Sequence, residues 1–229
     1  MSLAILQNFI VSKQERLDAL AETLPAIAKH FTKYNFYINF NSDTNFDKVY
    51  TLYKDNIKNL SFYNNLTTDY GLIVQSMLSE ISENYVFIIP EDFKLVNNSN
   101  YFSELLDEFI HYDCDFMLMH RIEEVKCYGI NPDYLHLYDT KNNLHLVDSS
   151  KYPGSCISSV AIYKKSFLNE VLEKYNNSQK STRFPLATPN CYEWFSHENI
   201  YSLVGSRKFA IPKKAVVQHY EPFNIKERI

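Results

Sequence analysis

The stretch Glu83–Val96, ENYVFIIPEDFKLV, decides how the fold of this chain is interpreted. Its apolar run from Tyr85 to Ile89 has the length of a buried strand, and the run stops at Pro90. Two carboxylates, Glu91 and Asp92, follow at once. Either this pair only forms a solvated turn, or it holds something positively charged.

Three strand-and-helix units are predicted before this strand. The strands are expected at Leu3 to Val11, in YNFYINFNSD and in NLSFYNN, and apolar residues at helical spacing follow each of them. Pro25 lies inside the first helical pattern, so we expect the helix to kink or restart there. Repeated units of this kind predict an α/β fold with a mostly parallel sheet flanked by helices. Glu91 and Asp92 then lie at the carboxyl edge of the sheet, where ligands bind in such folds.

The pattern becomes less regular after residue 97, and it predicts one domain over residues 1–229 with a regular half (1–97) and a less regular half (98–229) that includes a smaller mixed region. In chain order, the predicted elements of the second half are a helix at Phe102 to Ile110, a strand at Phe116 to His120, a hairpin in YLHLYDTKNNLHLVD, a strand in CISSVAIYKK, a helix in SFLNEVLEKYN, a loop in NNSQKSTRFPLATPN, a helix in NCYEWFSHENIYSLV and two short strands in KFAIPKKAVVQHY.

Composition excludes several classes of protein. The 229 residues include only 4 glycines, so a Gly-rich phosphate loop is not expected. The net charge of −4 and the lack of a long basic run argue against nucleic acid as a partner. The four cysteines show no CxxC spacing. No run approaches the length of a membrane span, and no signal peptide is evident. The sequence therefore predicts a cytoplasmic protein.

The order of these parts resembles the GT-A nucleotide-sugar glycosyltransferases, in particular the family-2-like group. IVSKQERLDAL is similar to their first strand and helix, YINFNSD to the strand that ends in a DDGS motif, and the passage ending in IIPED to the approach to their acidic metal-binding motif. SSVAIYKKSFL is similar to a strand of the acceptor half, and VVQHY to a late strand that ends in a metal-ligating histidine. The resemblance implies a GT-A type, Rossmann-like fold whose first half binds a nucleotide.

The resemblance also implies a function and a metal. It predicts transfer of a sugar from a nucleotide-diphospho-sugar to a glycan or another hydroxyl acceptor, assisted by Mn²⁺ or Mg²⁺. Glu91, Asp92 and His219 are the candidate metal ligands, since these ions favour carboxylate oxygen and accept imidazole. A solvated acidic turn and a half-buried histidine bonded to the backbone are the alternative interpretations.

Candidate nucleotide and acceptor residues follow from the same resemblance. Ser12, Asn41, Asp43, Asn65 and Asp69 would contact the base, ribose or phosphates. Ser12 and Asp69 can equally be helix caps, and Asn41 and Asp43 turn formers.

Glu193, next to the single tryptophan Trp194, and Glu198 are the candidate general bases. A surface position on an amphipathic helix is the alternative for both. Lys180 and Arg183, in the predicted loop, could reach the diphosphate or could simply be solvated.

Two other functional interpretations stay open. PED stands where the family reads Asp-x-Asp, and amides replace the carboxylates of its DDGS motif, which favours an inactive relative that binds a glycan or a protein. A nucleotidyltransferase shares the general sheet, but the Gly-rich loop expected of that class is missing. An exposed aromatic face could also pair two chains as a homodimer.

Overall fold

The computed structural model describes residues 2–9, 14–66, 70–119, 137–139, 142–148, 160–177 and 207–219. Within these ranges the helices are α1 (Gln14–His30), α2 (Phe46–Asn56), α3 (Tyr70–Glu80), α4 (Ser99–His111) and α5 (Lys165–Asn177). The strands described are β1 (Leu3–Phe9), β2 (Asn35–Phe40), β3 (Leu60–Tyr63), β4 (Tyr85–Ile88), β5 (Phe93–Leu95), β6 (Phe116–Leu118), β7 (Leu137–Asp139), β8 (Leu144–Asp148), β9 (Ala161–Lys164), β10 (Lys208–Pro212) and β11 (Val217–His219).

The described strands form one nine-stranded sheet in the order β3-β2-β1-β4-β9-β6-β10-β8-β7, and a separate two-stranded sheet of β11 and β5. The pairs β3–β2, β2–β1 and β1–β4 are parallel. β9 lies between β4 and β6 and runs antiparallel to both. β10 is parallel to β6, while β8 is antiparallel to β10 and to β7. The predicted fold class, a mostly parallel α/β sheet flanked by helices with a smaller mixed region, is confirmed.

The sheet is covered by helices on both faces, which explains the nearly continuous apolar runs of its central strands. Along β1, Leu3 and Ile5 pack into the core shared with α1, α2 and α4. Ala4 and Leu6, which alternate with them, pack into the core shared with α3 and α5. Successive side chains of a strand point to opposite faces, so one short strand supplies both cores.

Helix α1 runs from Gln14 to His30 without restarting at Pro25. Pro25 and Ala21 are exposed, whereas Leu24 and Ile27 beside them are fully buried. The Ala21 carbonyl, which loses its N–H partner to the proline, belongs to the exposed side of the helix, and the buried neighbours hold both halves of the helix against the sheet. Of the two expected outcomes, a kink or a restart, the restart does not occur, because packing outweighs the local cost of the proline.

The structure tests only some of the elements that were predicted after residue 97. The predicted hairpin is confirmed, since β7 and β8 pair in antiparallel fashion, with Asp139 opposite His145. The loop predicted in NNSQKSTRFPLATPN and the helix predicted in NCYEWFSHENIYSLV lie outside the described residues. Of the helices in the described ranges, none combines the length and the hydropathy that crossing a membrane requires.

Candidate functional site

The carboxyl ends of four parallel strands meet at one edge of the sheet. Asn41 follows β2 directly, Asn64 and Asn65 follow β3, and the segment 89–92 follows β4. β1 lies between β2 and β4 and ends at the same edge. The polar residues that the sequence places after these strands are therefore neighbours in the fold, as expected for a parallel sheet.

A buried amide, Asn39, organises the loop after β3. Asn39 is fully buried, and its Nδ2 donates to Asn8 Oδ1 at 2.8 Å and to the Asn65 carbonyl at 3.3 Å. Its Oδ1 accepts from the Asn65 backbone N–H at 2.9 Å. The main chain of Asn65 is thus held from both sides, so the position of this exposed residue is set by β2 rather than by its own loop.

The turn after β2 joins the same polar surface. The Asn41 backbone N–H donates to the Phe9 carbonyl at 2.9 Å, which ties the start of the turn to β1. Asn64 Nδ2 donates to Asp43 Oδ1 at 3.0 Å, which bridges the turns after β2 and β3. Asn41, Asp43 and Asn65 consequently lie on two adjoining turns at one edge.

The acidic turn after β4 is fixed through its main chain. Gln7 Nε2 donates to the Ile89 carbonyl at 2.9 Å, and Gln7 Oε1 accepts from the Tyr53 hydroxyl at 2.6 Å. Thr23 Oγ1 donates to the Glu91 carbonyl at 2.8 Å. Gln7 and Thr23 are both buried, so these bonds are shielded from water. Strand β1 and helices α1 and α2 together set the path of the turn.

The two carboxylates of the turn face an arginine from α1. Arg16 Nη2 bonds to Glu91 Oε1 and lies 3.7 Å from Asp92 Oδ2. The Glu91 side chain is 3% exposed, that of Asp92 18% and that of Arg16 46%. Burial, and next the charge of Asp92, raise the pKa of Glu91 to about 7, while the Arg16 guanidinium opposes that rise. The acidic pair therefore holds a positive group of the protein itself.

The short strand β5 connects this turn to the last described segment. Phe93–Leu95 pairs in antiparallel fashion with Val217–His219, and the Cα partner of His219 is Phe93. The backbone N–H of Val96 donates to the Val216 carbonyl at 2.9 Å, which extends the pairing. The main chain of His219 thus lies opposite the residue that follows Asp92.

Solved structures with the same architecture come from several bacteria. Staphylococcus aureus TarS 1–349 matches with a TM-score of 0.59 and 14% identity, over 95% of this chain and 60% of that one. TarS 1–349 in complex with UDP-GlcNAc matches with a TM-score of 0.59 and 14% identity, over 98% and 62% of the two chains. The chain has the GT-A fold. It spans about 60% of the length of TarS 1–349.

The GT-A fold is the extent of what these likenesses show. A cytidylyltransferase from Leptospira borgpetersenii shares the architecture with a TM-score of 0.52 and 12% identity, over 87% of this chain and 74% of that chain. A scan against protein-family models and a search of curated proteins found no match. At such identities the fold is common to the three proteins, and the activity has to be argued from the residues.

The predicted site residues fall into two groups on this GT-A fold. Asn41, Asp43, Asn65, Glu91 and Asp92 are described, and all five lie at the carboxyl edge of the sheet. For His219 the structure describes the main chain. In the described ranges, no three His, Cys, Asp or Glu side chains are grouped as a metal site would need. Those outside the described residues are Ser12, Asp69, Glu193 and Glu198, together with Lys180 and Arg183.

Three residues of the edge escaped the sequence interpretation. Gln7 and Asn39 are polar residues inside largely apolar strands, and this is a usable signal, since buried polar side chains must find hydrogen-bond partners. Arg16 carried no such signal, because a charged residue in the first turn of an amphipathic helix is ordinarily solvated. Its pairing with Glu91 depends on how α1 packs across the end of β4.

Proposed function

We propose that this protein transfers a sugar from a nucleotide-diphospho-sugar to a hydroxyl acceptor. The observation that carries the proposal is the pairing of β5 with β11, which brings the main chain of His219 next to the Asp92 turn at the carboxyl edge. The amide-lined turns of Asn41 and Asn65 lie on the same edge. The fold is also that of TarS, whose solved structures include complexes with UDP and with UDP-GlcNAc.

The nucleotide would lie over the turns after β1, β2 and β3. Asn41, Asp43 and Asn65 offer amide and carboxylate groups that can pair with the polar edge of a base or with ribose hydroxyls. Buried Asn39 would keep Asn65 in place while the base binds, because it holds both the N–H and the carbonyl of that residue. Ser12 and Asp69 belong to the proposed nucleotide contacts on the strength of the sequence resemblance alone.

A divalent cation fits the donor chemistry of the acidic turn. Mn²⁺ and Mg²⁺ often need one or two carboxylate ligands besides substrate phosphates, and Mn²⁺ also accepts imidazole. We assign the metal contact to Asp92 and His219. Glu91 is buried against Arg16 and would hold the turn, so a direct bond from Glu91 to the metal would require the ion pair to open. When bound, the cation would stabilise the charge that develops on the leaving diphosphate.

The acceptor half would supply a base. Glu193 and Glu198 remain the proposed candidates for accepting the proton of the acceptor hydroxyl, if the reaction inverts the anomeric centre. A glycan or another hydroxyl compound is the proposed acceptor. Variants Glu193→Gln and Glu198→Gln would separate the two, since loss of the base should lower kcat and leave donor affinity unchanged.

Calorimetry with UDP and GDP, each with and without Mn²⁺, tests the proposal directly. We expect one of the diphosphates to bind, Mn²⁺ to tighten its binding, and Asp92→Asn to remove most of the Mn²⁺ effect. Asp113→Asn is the matched control, since Asp113 is exposed and pairs with Lys164 at 2.6 Å. The proposal fails if neither diphosphate binds and Asp92→Asn changes nothing.

A GT-A-like domain that binds a glycan or a protein without turnover is the second candidate. Arg16 favours it, because this guanidinium already neutralises part of the acidic pair that a metal would need. Slow hydrolysis of any sugar nucleotide by the purified protein would dispose of this candidate. The products also separate a glycosyltransferase from a nucleotidyltransferase, since the first releases a nucleoside diphosphate and the second releases pyrophosphate.

A further inference from the structure

Arg16 presents a fixed positive charge at the acidic turn. About half of its side chain is exposed (46%), although its tip is anchored to two carboxylates. A guanidinium carries five N–H donors in a rigid planar fork. Within the part of the chain that the structure describes, the hydrogen bond and ion pairs given for Arg16 all run through Nη2. The anchoring contacts therefore use one of the two terminal nitrogens of the fork, on a side chain that is about half exposed.

We propose that Arg16 binds the diphosphate of the nucleotide donor directly, beside the cation proposed at Asp92. This inference rests on the proposed function and adds a phosphate-binding residue to it. The guanidinium fork matches the spacing of phosphate oxygens and can form two parallel hydrogen bonds with them. A side chain already locked in place forms such bonds with less loss of rotamer freedom than a free one would.

The distances place Arg16 within reach of anything that Asp92 holds. Arg16 Nη2 lies 3.7 Å from Asp92 Oδ2. If Asp92 held a cation, that cation would supply positive charge to the diphosphate. The guanidinium of Arg16 would then offer N–H donors beside the same carboxylate. A diphosphate held by Asp92 through a metal would have Arg16 as its immediate neighbour.

The charges of the acidic turn give a second reason to expect that Arg16 binds phosphate. Negative charge on the acidic turn would repel a diphosphate, and the positive charge of Arg16 offsets that repulsion whether or not a metal is bound. Glu91, which lies buried beneath the turn, acts as the anchor that keeps the guanidinium at this position. Thr23 and Gln7 hold the main chain of the turn, so the anchor itself is rigid. The arrangement forms a cationic contact whose geometry is set in advance.

A purely structural ion pair is the competing interpretation, and the number of phosphates on the ligand separates the two. If Arg16 only holds the turn, Arg16→Gln should weaken the binding of the nucleoside and of the nucleoside diphosphate equally, or should leave both unchanged. If Arg16 contacts phosphate, the loss should grow from nucleoside to monophosphate to diphosphate. The readout is the ratio of affinities for one base, which does not depend on catalytic activity.

The experiment uses calorimetry on the full chain with uridine, UMP and UDP, or the guanosine series if GDP is the better ligand, in Mn²⁺ and in EDTA. The variants are Arg16→Gln, Arg16→Lys and, as the matched control, Arg207→Gln. Arg207, just before β10, pairs with Glu170 of α5 at 2.7 Å, so its loss removes an Arg–Glu ion pair elsewhere in the fold. Thermal melting of each variant verifies that it is folded.

We expect Arg16→Gln to weaken the binding of UDP by about 10- to 100-fold in both buffers and to leave the binding of uridine unchanged. This is the range for the loss of a hydrogen bond to a charged group. Arg16→Lys keeps the charge and should restore part of the loss, which also covers the case in which the glutamine variant does not fold. Arg207→Gln should bind as the wild type does.

If Arg16→Gln weakened the binding of uridine and of UDP equally, or bound UDP with wild-type affinity, the proposal for Arg16 would be overturned and the proposed function would stand. Failure of the wild-type protein to bind any diphosphate would instead overturn the proposed function, and this inference with it.

Discussion

At the scale of single residues, Gln7 shows how one buried amide joins three elements. Gln7 lies in β1, accepts from the Tyr53 hydroxyl of α2 and donates to the carbonyl of Ile89 at the acidic turn. Burial raises the pKa of Tyr53 well above its usual value, so this phenol stays protonated and remains a donor. The position of the turn therefore depends on a hydrogen bond made at the opposite end of the glutamine side chain.

Tyr53→Phe tests this connection. The variant leaves Gln7 Oε1 without its donor in a buried site, so the free energy of unfolding should fall by about 1–3 kcal/mol. Tyr50→Phe, on the same helix but 38% exposed, is the control and should stay within about 0.5 kcal/mol of the wild type. Urea denaturation followed by circular dichroism measures both. Equal stabilities for the two variants would contradict the role given to Gln7.

Cys114 provides a prediction on pH. The thiol is buried, and burial raises its pKa from 9.0 to about 12. Because the folded-state pKa is the higher one, the contribution of the protonated thiol to stability is complete below pH 9 and is lost as pH rises from 9 toward 12. Iodoacetamide at pH 8 should leave Cys114 unmodified in the native protein and alkylate it in urea, as peptide mapping would show. Rapid native alkylation would contradict its burial.

At the scale of elements, α4 begins at a cap that the sequence interpretation had not assigned. Asn98 has extended backbone angles, and its side chain accepts from the Tyr101 N–H at 2.9 Å. Asn98→Ala should lower the free energy of unfolding by about 0.5–2 kcal/mol, whereas Asn98→Ser should stay near the wild type because serine caps about as well. Chemical denaturation of the pair measures the difference. Equal losses in both variants would indicate that something other than the cap is at work.

Elements with a long apolar period were predictable from the sequence, and elements defined by distant partners were not. α4 and β4 were predicted because burial on one face or on both leaves a visible pattern. β5 was missed, since three residues are too few to show a period and its pairing with β11 is made far along the chain. A kink or a restart was expected at Pro25, and the restart does not occur, because a local propensity does not include the packing of Leu24 and Ile27.

At the scale of the whole molecule, an aromatic stack unites the second half of the sheet with α5. The Phe116 ring lies 4.8 Å from that of Phe209, 5.5 Å from that of Phe167 and 6.0 Å from that of Tyr163, all nearly parallel. These rings come from β6, β10, α5 and β9, whose order across the sheet no local pattern encodes. A substitution in this stack therefore tests whether β6, β9, β10 and α5 pack together as described.

Phe116→Ala should lower the free energy of unfolding by about 3–5 kcal/mol, since it leaves a cavity at the centre of the stack. Leu72→Ala, at a position that is 51% exposed, is the control and should change stability by about 0.5 kcal/mol or less. Guanidinium denaturation gives both values. A loss near 1 kcal/mol for Phe116→Ala would be inconsistent with a fully packed stack.

The candidate site was predictable in position and only partly in content. Strand ends in a parallel sheet converge, which pointed to Glu91 and Asp92 without coordinates, and the family resemblance pointed to Asn41 and Asn65. The partner of Glu91 was not predictable, because the direction of a side chain at a turn depends on the helix that packs over it. The ion pair between Arg16 and Glu91 is evident only from the structure, in which α1 packs across the end of β4.

The two-stranded sheet also sets an order of events during synthesis. Asn97 donates to the Ala215 carbonyl beside this sheet, and these residues stand 118 positions apart. At a ribosome speed of roughly 5–20 residues per second, the late strand emerges roughly 6–24 seconds after the early one. A nascent protein would thus carry its acidic turn well before the histidine-bearing strand reaches it. The two-stranded sheet can therefore form only after residues 217–219 have been synthesised.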